Sequence, residues 1–116
     1  MTSSASQSLE ISPSEMAARA VIAHKRIETQ IYKTPLLPSK TIGSTMGCDL
    51  FFKADNFQLT GSFKIRGASS KMSAMAGSEK LITASSGNHG IACAKAAQTF
   101  KRDLTVVLPE TVAQAK

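Results

Sequence analysis

Two short stretches of this chain hold the residues best suited to chemistry. The first is Lys53-Ala54-Asp55-Asn56-Phe57-Gln58-Leu59-Thr60-Gly61-Ser62-Phe63-Lys64-Ile65-Arg66-Gly67-Ala68, which sets Lys64 just inside a helix start behind a Gly-Ser turn. A lysine held there by a helix has a fixed place. Positive helix-dipole charge and desolvation would both lower its pKa, making the neutral amine available as nucleophile and base. The second stretch is Ser85-Ser86-Gly87-Asn88-His89-Gly90. It follows a strand pattern and opens a helix, so its backbone N–H groups suit an anion such as a carboxylate. Two hydroxyls, an amide and an imidazole among glycines make poor core material. Each stretch has a bland alternative: a surface lysine on an amphipathic helix for Lys64, and a capped turn with Ser85 or Asn88 as cap for the loop. The chemistry implied by the pair is an imine-forming amine facing an anion-holding loop.

The elements that must position these residues follow from periodicity and turn chemistry. Ser12-Pro13-Ser14-Glu15 reads as a capped helix start. Ala17, Ala20, Val21, Ile27 and Ile31 then recur at helical spacing, with His24 as a partly buried structural residue. Thr34-Pro35 ends that helix, because a residue before proline leaves the helical region. A loop follows through Pro38, Gly43 and Gly47, then a short strand over Asp49–Lys53. Thr60-Gly61-Ser62 is a turn, and Phe63 to about Ala76 a helix with Ala68, Met72 and Met75 packed inward. Lys80–Ala84 reads as a strand, Ile91–Phe100 as an alanine-rich helix, and Leu104–Leu108 as a buried strand ending at Pro109. Strand, helix, strand over about 30 residues is a βαβ unit, which predicts parallel pairing and an α/β fold.

Composition narrows the class. Of 116 residues 42% are hydrophobic and 19% charged, enough apolar material for a core. No run of about 18 apolar residues is present, so no membrane partner is expected. The net charge is +6, from 14 Lys+Arg against 8 Asp+Glu. These cations are scattered and aromatics are few, which argues against a nucleic-acid module. Cys48 and Cys93 are too far apart for a disulfide framework or a metal site, and Cys93 reads as a small core residue. Residues 1–11 form a polar, serine-rich stretch without an apolar signal core, read as a disordered tail of a cytoplasmic protein.

Together, Thr34-Pro35-Leu36, Lys53–Ala68, Ser85–Gly90 and the stretch from Val107-Leu108-Pro109-Glu110 to Lys116 resemble, in order, the motifs of the pyridoxal-phosphate enzymes of the serine/threonine dehydratase (threonine ammonia-lyase) and serine racemase family. The resemblance implies the α/β, two-domain fold of the tryptophan synthase β subunit (fold type II). Residues 12–78 would belong to the large cofactor domain and residues 79–116 would begin the small one. It implies that Lys64 carries pyridoxal 5'-phosphate as a Schiff base, with Phe63 beside the ring and Asn88 on the phenolate oxygen. Ser85, Ser86, Asn88 and His89 would receive the substrate carboxylate. The cofactor acts as electron sink, and a freed Lys64 takes the Cα proton. In a dehydratase, loss of the β-hydroxyl of L-threonine or L-serine then gives a 2-keto acid and ammonia. In racemising members a serine at the place of Ser86 is the second acid/base, so Ser86 keeps racemisation open.

Phe63-Lys64-Ile65-Arg66 and Asn88-His89-Gly90 set the chain on the dehydratase side of that family, away from cysteine-building relatives. Two departures stand out: Asp55 where the family usually has glutamate, and Ile91 after Gly90 where glutamine or alanine is usual. Both are expected to alter substrate fit more than cofactor chemistry. Thr111–Lys116 opens a helix too short to hold alone, and the family's glycine-rich phosphate loop is not in the chain. The expectation is therefore the N-terminal portion of a longer, homo-oligomeric amino-acid lyase, itself with little or no activity. Rival readings are a serine racemase, a hydroxyaspartate-type ammonia-lyase, and a catalytically dead protein that keeps the cofactor.

Overall fold

The computed structural model describes residues 11–110. The tail expected over residues 1–11 lies almost wholly outside the described residues, and so does the helix expected from Thr111.

Helix α1 runs Pro13–Ile27 and starts as expected: Pro13 occupies the first turn, and the Ser12 hydroxyl accepts the Glu15 N–H at 3.2 Å. It ends earlier than Thr34-Pro35 led us to expect. The reason is Gln58, whose side chain accepts the Tyr32 N–H and donates to the Tyr32 carbonyl, both at 2.8 Å. Those two bonds hold Tyr32 in an extended path, so Ile31 reaches the core from a turn. The expected apolar face of α1 is largely uncovered, with Val21 63% exposed, and His24 is exposed where partial burial was expected. Only the last turn packs: Ile27 is buried, and Arg26 donates to Ser70 and Ser73. Helical spacing tells that a face can be buried, not what covers it.

The connection read as a loop contains two further elements. Strand β1, Leu36–Pro38, pairs antiparallel with β2, Phe51–Lys53, in the register Leu36↔Lys53. Pro38 disguises β1, since a proline is tolerated there only on a sheet edge. Helix α2, Lys40–Met46, carries weak helix formers. It is held by close approach: a Cβ on Gly43 would lie 2.6 Å from the Cys48 carbonyl. Gly47, at φ 63, closes its C-terminus.

Helix α3, Lys64–Ala74, is central. Its Ile65, Ala68 and Met72 meet Ile27 and Ile31 on one side and Ala92, Cys93, Ala96 and Ala97 of α4, Asn88–Phe100, on the other. Met75 ends α3 and is only half-buried, a weaker core position than its spacing suggested. The small residues of α4 let the two helices approach closely.

Strand β3, Leu81–Ala84, α4 and strand β4, Leu104–Val107, form the βαβ unit foreseen from the sequence. Its strands pair in parallel, from Leu81↔Leu104 to Ala84↔Val107. β4 is not the fully buried strand expected. Its residues alternate between half-buried and exposed, because one sheet face packs on α4 while the other is open.

Candidate functional site

The chain approaches Lys64 through two 3-10 turns, Asp55–Phe57 and Leu59–Gly61. Thr60 and Gly61 both have positive φ, 67° and 70°, a reversal a glycine accepts freely and a threonine does not. The hydroxyls of Thr60 and Ser62 are buried without a partner among the described residues. Phe63 then stands at the N-cap without a capping side chain, and Lys64 is the first helical residue. The Lys64 Nζ lies 4.9 Å from the Phe63 ring centroid. Both side chains are exposed, so this chain does not supply the desolvation expected around Lys64. Its neighbour Ile65 is 1% exposed and anchors the helix start in the core.

Two residues later, Arg66 makes a fork-to-fork pair with Asp55: Nε to Oδ2 at 2.7 Å and Nη2 to Oδ1 at 2.9 Å. The same Nη2 donates to the Thr34 hydroxyl at 3.1 Å, and that hydroxyl donates to Asp55. The Lys53 ammonium donates to the Thr34 carbonyl. The Arg66 hydrogen bonds, opposed by burial, hold the Asp55 carboxyl down at about 2. Both Asp55 oxygens are thus committed within the protein. The Asp55 side chain therefore touches α3 and Thr34.

The second stretch divides at Gly87. Gly87 is the N-cap residue of α4, and the Ser85 hydroxyl, two residues upstream, supports the helix start by accepting the Gly90 N–H at 2.9 Å and the Gly87 N–H at 3.3 Å. Asn88, His89 and Gly90, read as loop, form the first turn of α4. The first-turn N–H groups of Asn88 and His89 have no intrahelical acceptor and remain available to an anion. Gly90 is needed for close approach: a Cβ there would lie 3.2 Å from the Ser85 carbonyl and 3.3 Å from Val106 Cγ1. Ser85, Ser86 and Gly90 line one cavity of about 330 Å3 together with Val106. His89 lines another of about 270 Å3 with Gly67, Lys71 and Cys93. The His89 Nε2 lies 3.5 Å from the Cys93 sulfur, and burial pushes that thiol's pKa up, as befits a core cysteine.

The structure therefore brings Phe63 to Lys64, and Ser85 to Gly90 and the start of α4. The two groups stand at the N-termini of packed helices, and no hydrogen bond joins them among the described residues. Sequence reasoning did not find Gln58 as a backbone clamp or the Asp55–Arg66 pair. For the pair a signal existed: opposite charges flanking the Thr60-Gly61 reversal. In chemical kind the residues fit a pyridine aldehyde phosphate at its aldehyde end. A primary amine is free, an aromatic ring lies beside it, two buried hydroxyls lack partners, and free N–H groups sit under Asn88. Among the described residues, no group of three His, Cys, Asp or Glu could hold a metal, and no helix is long and apolar enough to cross a membrane.

Known proteins resemble this chain in both sequence and fold. Residues 27–116 match the family model described as pyridoxal-phosphate dependent enzyme. The chain is 43% identical over 97 residues to a serine racemase from Dictyostelium discoideum, covering 81% of this chain and 30% of that protein. It is 41% identical over 91 residues to an L-threo-3-hydroxyaspartate ammonia-lyase from Saccharomyces cerevisiae, covering 76% and 28%. It is also 41% identical over 99 residues to a catabolic L-threonine dehydratase from Staphylococcus aureus, covering 81% and 28%. The crystal structure of the Dictyostelium serine racemase superposes with a TM-score of 0.77 at 40% identity, over 84% of this chain and 33% of that one. The chain thus spans under a third of the curated relatives it matches, and within that span it has the expected fold-type II α/β architecture.

Proposed function

The chain belongs to the pyridoxal-phosphate-dependent enzyme family, and we propose that the protein it forms removes the α-proton of a β-hydroxy amino acid, L-threonine or L-serine, and releases a 2-keto acid and ammonia. The observation that carries this reading is an exposed primary amine, Lys64, on the first residue of a helix whose next residue, Ile65, is locked in the core. Such an amine is accessible, as a covalent anchor and a base must be, and its helix start is tied to the core at Ile65. When bound there, the cofactor supplies an electron sink for the carbanion left at the α-carbon.

The chain's own residues have distinct tasks. Lys64 would hold the cofactor through its amine and, when that amine is free, would take the proton from the α-carbon. Phe63 gives that amine an aromatic face on one side. The N–H groups of the first turn of α4, with Ser86 and the side chains of Asn88 and His89, hold the substrate carboxylate and so orient the Cα–H bond. Ser85 acts by accepting the Gly90 N–H, which keeps that turn in shape. Residues 12–78 would belong to a larger cofactor domain and residues 79–116 to a smaller one. The β1–β2 and β3–β4 sheets are distinct, as that division would have it, while α3 and α4 share one core across it.

A second reading is racemisation, favoured by the 43% identity to a serine racemase and by the exposed Ser86 side chain. Ser86 would return a proton to the opposite face of the α-carbon. The test is to supply the full-length protein with pyridoxal phosphate and L-threonine, L-serine or L-threo-3-hydroxyaspartate, measuring keto acid and D-amino acid together. Keto acid from threonine or serine supports the dehydratase. D-serine in excess of keto acid moves the assignment to racemase. Activity on hydroxyaspartate alone narrows the substrate to a dicarboxylate.

A further inference from the structure

Lys64 is poorly held by its own surroundings. It is exposed, its helix start has no capping side chain, and Phe63 beside it is exposed too. First turns of helices fray when nothing restrains them. The Arg66 N–H does bond back to the Phe63 carbonyl at 3.0 Å, but that bond lies within the turn and fixes nothing outside it. Three external restraints act here: the burial of Ile65, the paired hydrogen bonds from Arg66 to Asp55, and the bond from Arg66 to the Thr34 hydroxyl. Burial of one aliphatic side chain sets depth but leaves rotation about it loose. A two-point guanidinium–carboxylate fork fixes direction as well.

The other end of that fork is well anchored. The Asp55 side chain is 13% exposed and is bonded by the buried Thr34 hydroxyl. Lys53, at the end of β2, donates to the Thr34 carbonyl. Two residues before Thr34, Gln58 holds the backbone of Tyr32. Thr34 thus ties four segments together: the stretch after α1, the end of β2 through Lys53, the 3-10 turn through Asp55, and α3 through Arg66.

We propose that the Asp55–Arg66 pair, braced by Thr34, is the positioning element for Lys64, setting the direction in which the first turn of α3 presents the amine. The inference rests on the reading of Lys64 given above. Arg66 is a positioning residue here, since its side chain is occupied by Asp55 and Thr34. A displacement of about 1 Å at a reacting group costs up to about a hundredfold in rate. Loss of the fork should therefore lower kcat with little change in KM.

The test compares Arg66→Met and Arg66→Lys with Arg102→Met in the full-length protein. Arg102 is a control clamp, donating to the Met75 and Gly77 carbonyls at the far end of α3. Three readouts are taken: amide hydrogen exchange of residues 64–67 in the cofactor-free protein, visible circular dichroism of the bound cofactor, and kcat and KM. We expect exchange at residues 64–67 to rise about tenfold or more in both Arg66 variants. The cofactor dichroism should change, and kcat should fall about ten- to a hundredfold with KM within about threefold. Asp55→Glu with Arg66 intact, which keeps a carboxylate for the fork, should leave all three near wild type. Arg102→Met should lower stability without moving the dichroism or kcat. If Arg66→Met does not fold, Arg66→Lys, which keeps the charge and loses the fork, decides alone. Wild-type exchange and dichroism in the Arg66 variants, or an equal fall in Arg102→Met, would overturn the proposal. A cofactor signal that survives Lys64→Ala in the full-length protein would instead overturn the reading of Lys64.

Discussion

The Ser85 hydroxyl accepts the Gly90 N–H at 2.9 Å, and Gly90 in turn sits so close that a Cβ would lie 3.2 Å from the Ser85 carbonyl. One serine thus both ends β3's connection and starts α4, and one glycine permits the approach. The consequence is a first turn whose remaining N–H groups, at Asn88 and His89, are left facing outward. Ser85, which the sequence offers both as a cap and as a carboxylate contact, makes its hydrogen bonds to the start of α4.

Ser85→Ala should therefore cost about 1 kcal/mol of stability through loss of those hydrogen bonds. Gly90→Ala should cost about 1–3 kcal/mol by overpacking against Ser85 and Val106. Gly67 in α3 is the contrast, because a Cβ there meets nothing within 4 Å. Gly67→Ala should stabilise the cofactor-free protein by about 0.5–1 kcal/mol. Urea unfolding of the three variants measures the order, and equal effects at Gly67 and Gly90 would contradict it.

Gln58 is 3% exposed and makes three bonds, two to the Tyr32 backbone and one accepted from the Leu59 N–H at 2.9 Å. Gln58→Ala should cost about 2–4 kcal/mol, because part-buried backbone groups lose their partners together. Gln58→Glu keeps the two accepted bonds but turns a buried carboxylate oxygen towards the Tyr32 carbonyl, so at neutral pH it should cost at least as much. Denaturant midpoints in the two variants check the ranking.

The Asp55 carboxyl titrates at about 2 in the folded chain against an ordinary 3.8, chiefly because of its hydrogen bonds from Arg66. Its folded pKa is depressed, so the unfolded chain binds the proton more readily. The stability it contributes is fully present above pH about 4 and is lost as pH falls through the interval from 3.8 towards 2. Asp55→Asn should be less stable at neutral pH and should show a flatter stability profile over that interval. A wild-type profile as flat as that of the variant would contradict the pairing.

Much of this was legible in the chain because it is local. Ser12-Pro13 and Glu15 state a helix start through contacts three residues apart. The strand–helix–strand order of 80–108 states a parallel pair because no short turn joins parallel strands. Lys64 and Ser85–Gly90 stood out because amines, hydroxyls and glycines at helix starts have few structural reasons to cluster. What the sequence hid depends on distant partners. The early end of α1 is decided by Gln58, 26 residues beyond Tyr32. Helix α2 is decided by how closely Gly43 meets Cys48 and Leu50. The role of Asp55 needed Arg66 and Thr34 in three dimensions, and the exposure of His24 and Val21 needed to know what lies over α1.

The central claim is that Lys64 is the amine that holds the cofactor. The most direct measurement is borohydride reduction of the full-length protein with bound pyridoxal phosphate, followed by peptide mapping by mass spectrometry. The account predicts a phosphopyridoxyl mass on the peptide containing Phe63-Lys64-Ile65, absent in Lys64→Ala along with the visible absorbance. A label on another of the lysines, or a visible band that persists in Lys64→Ala, would contradict it.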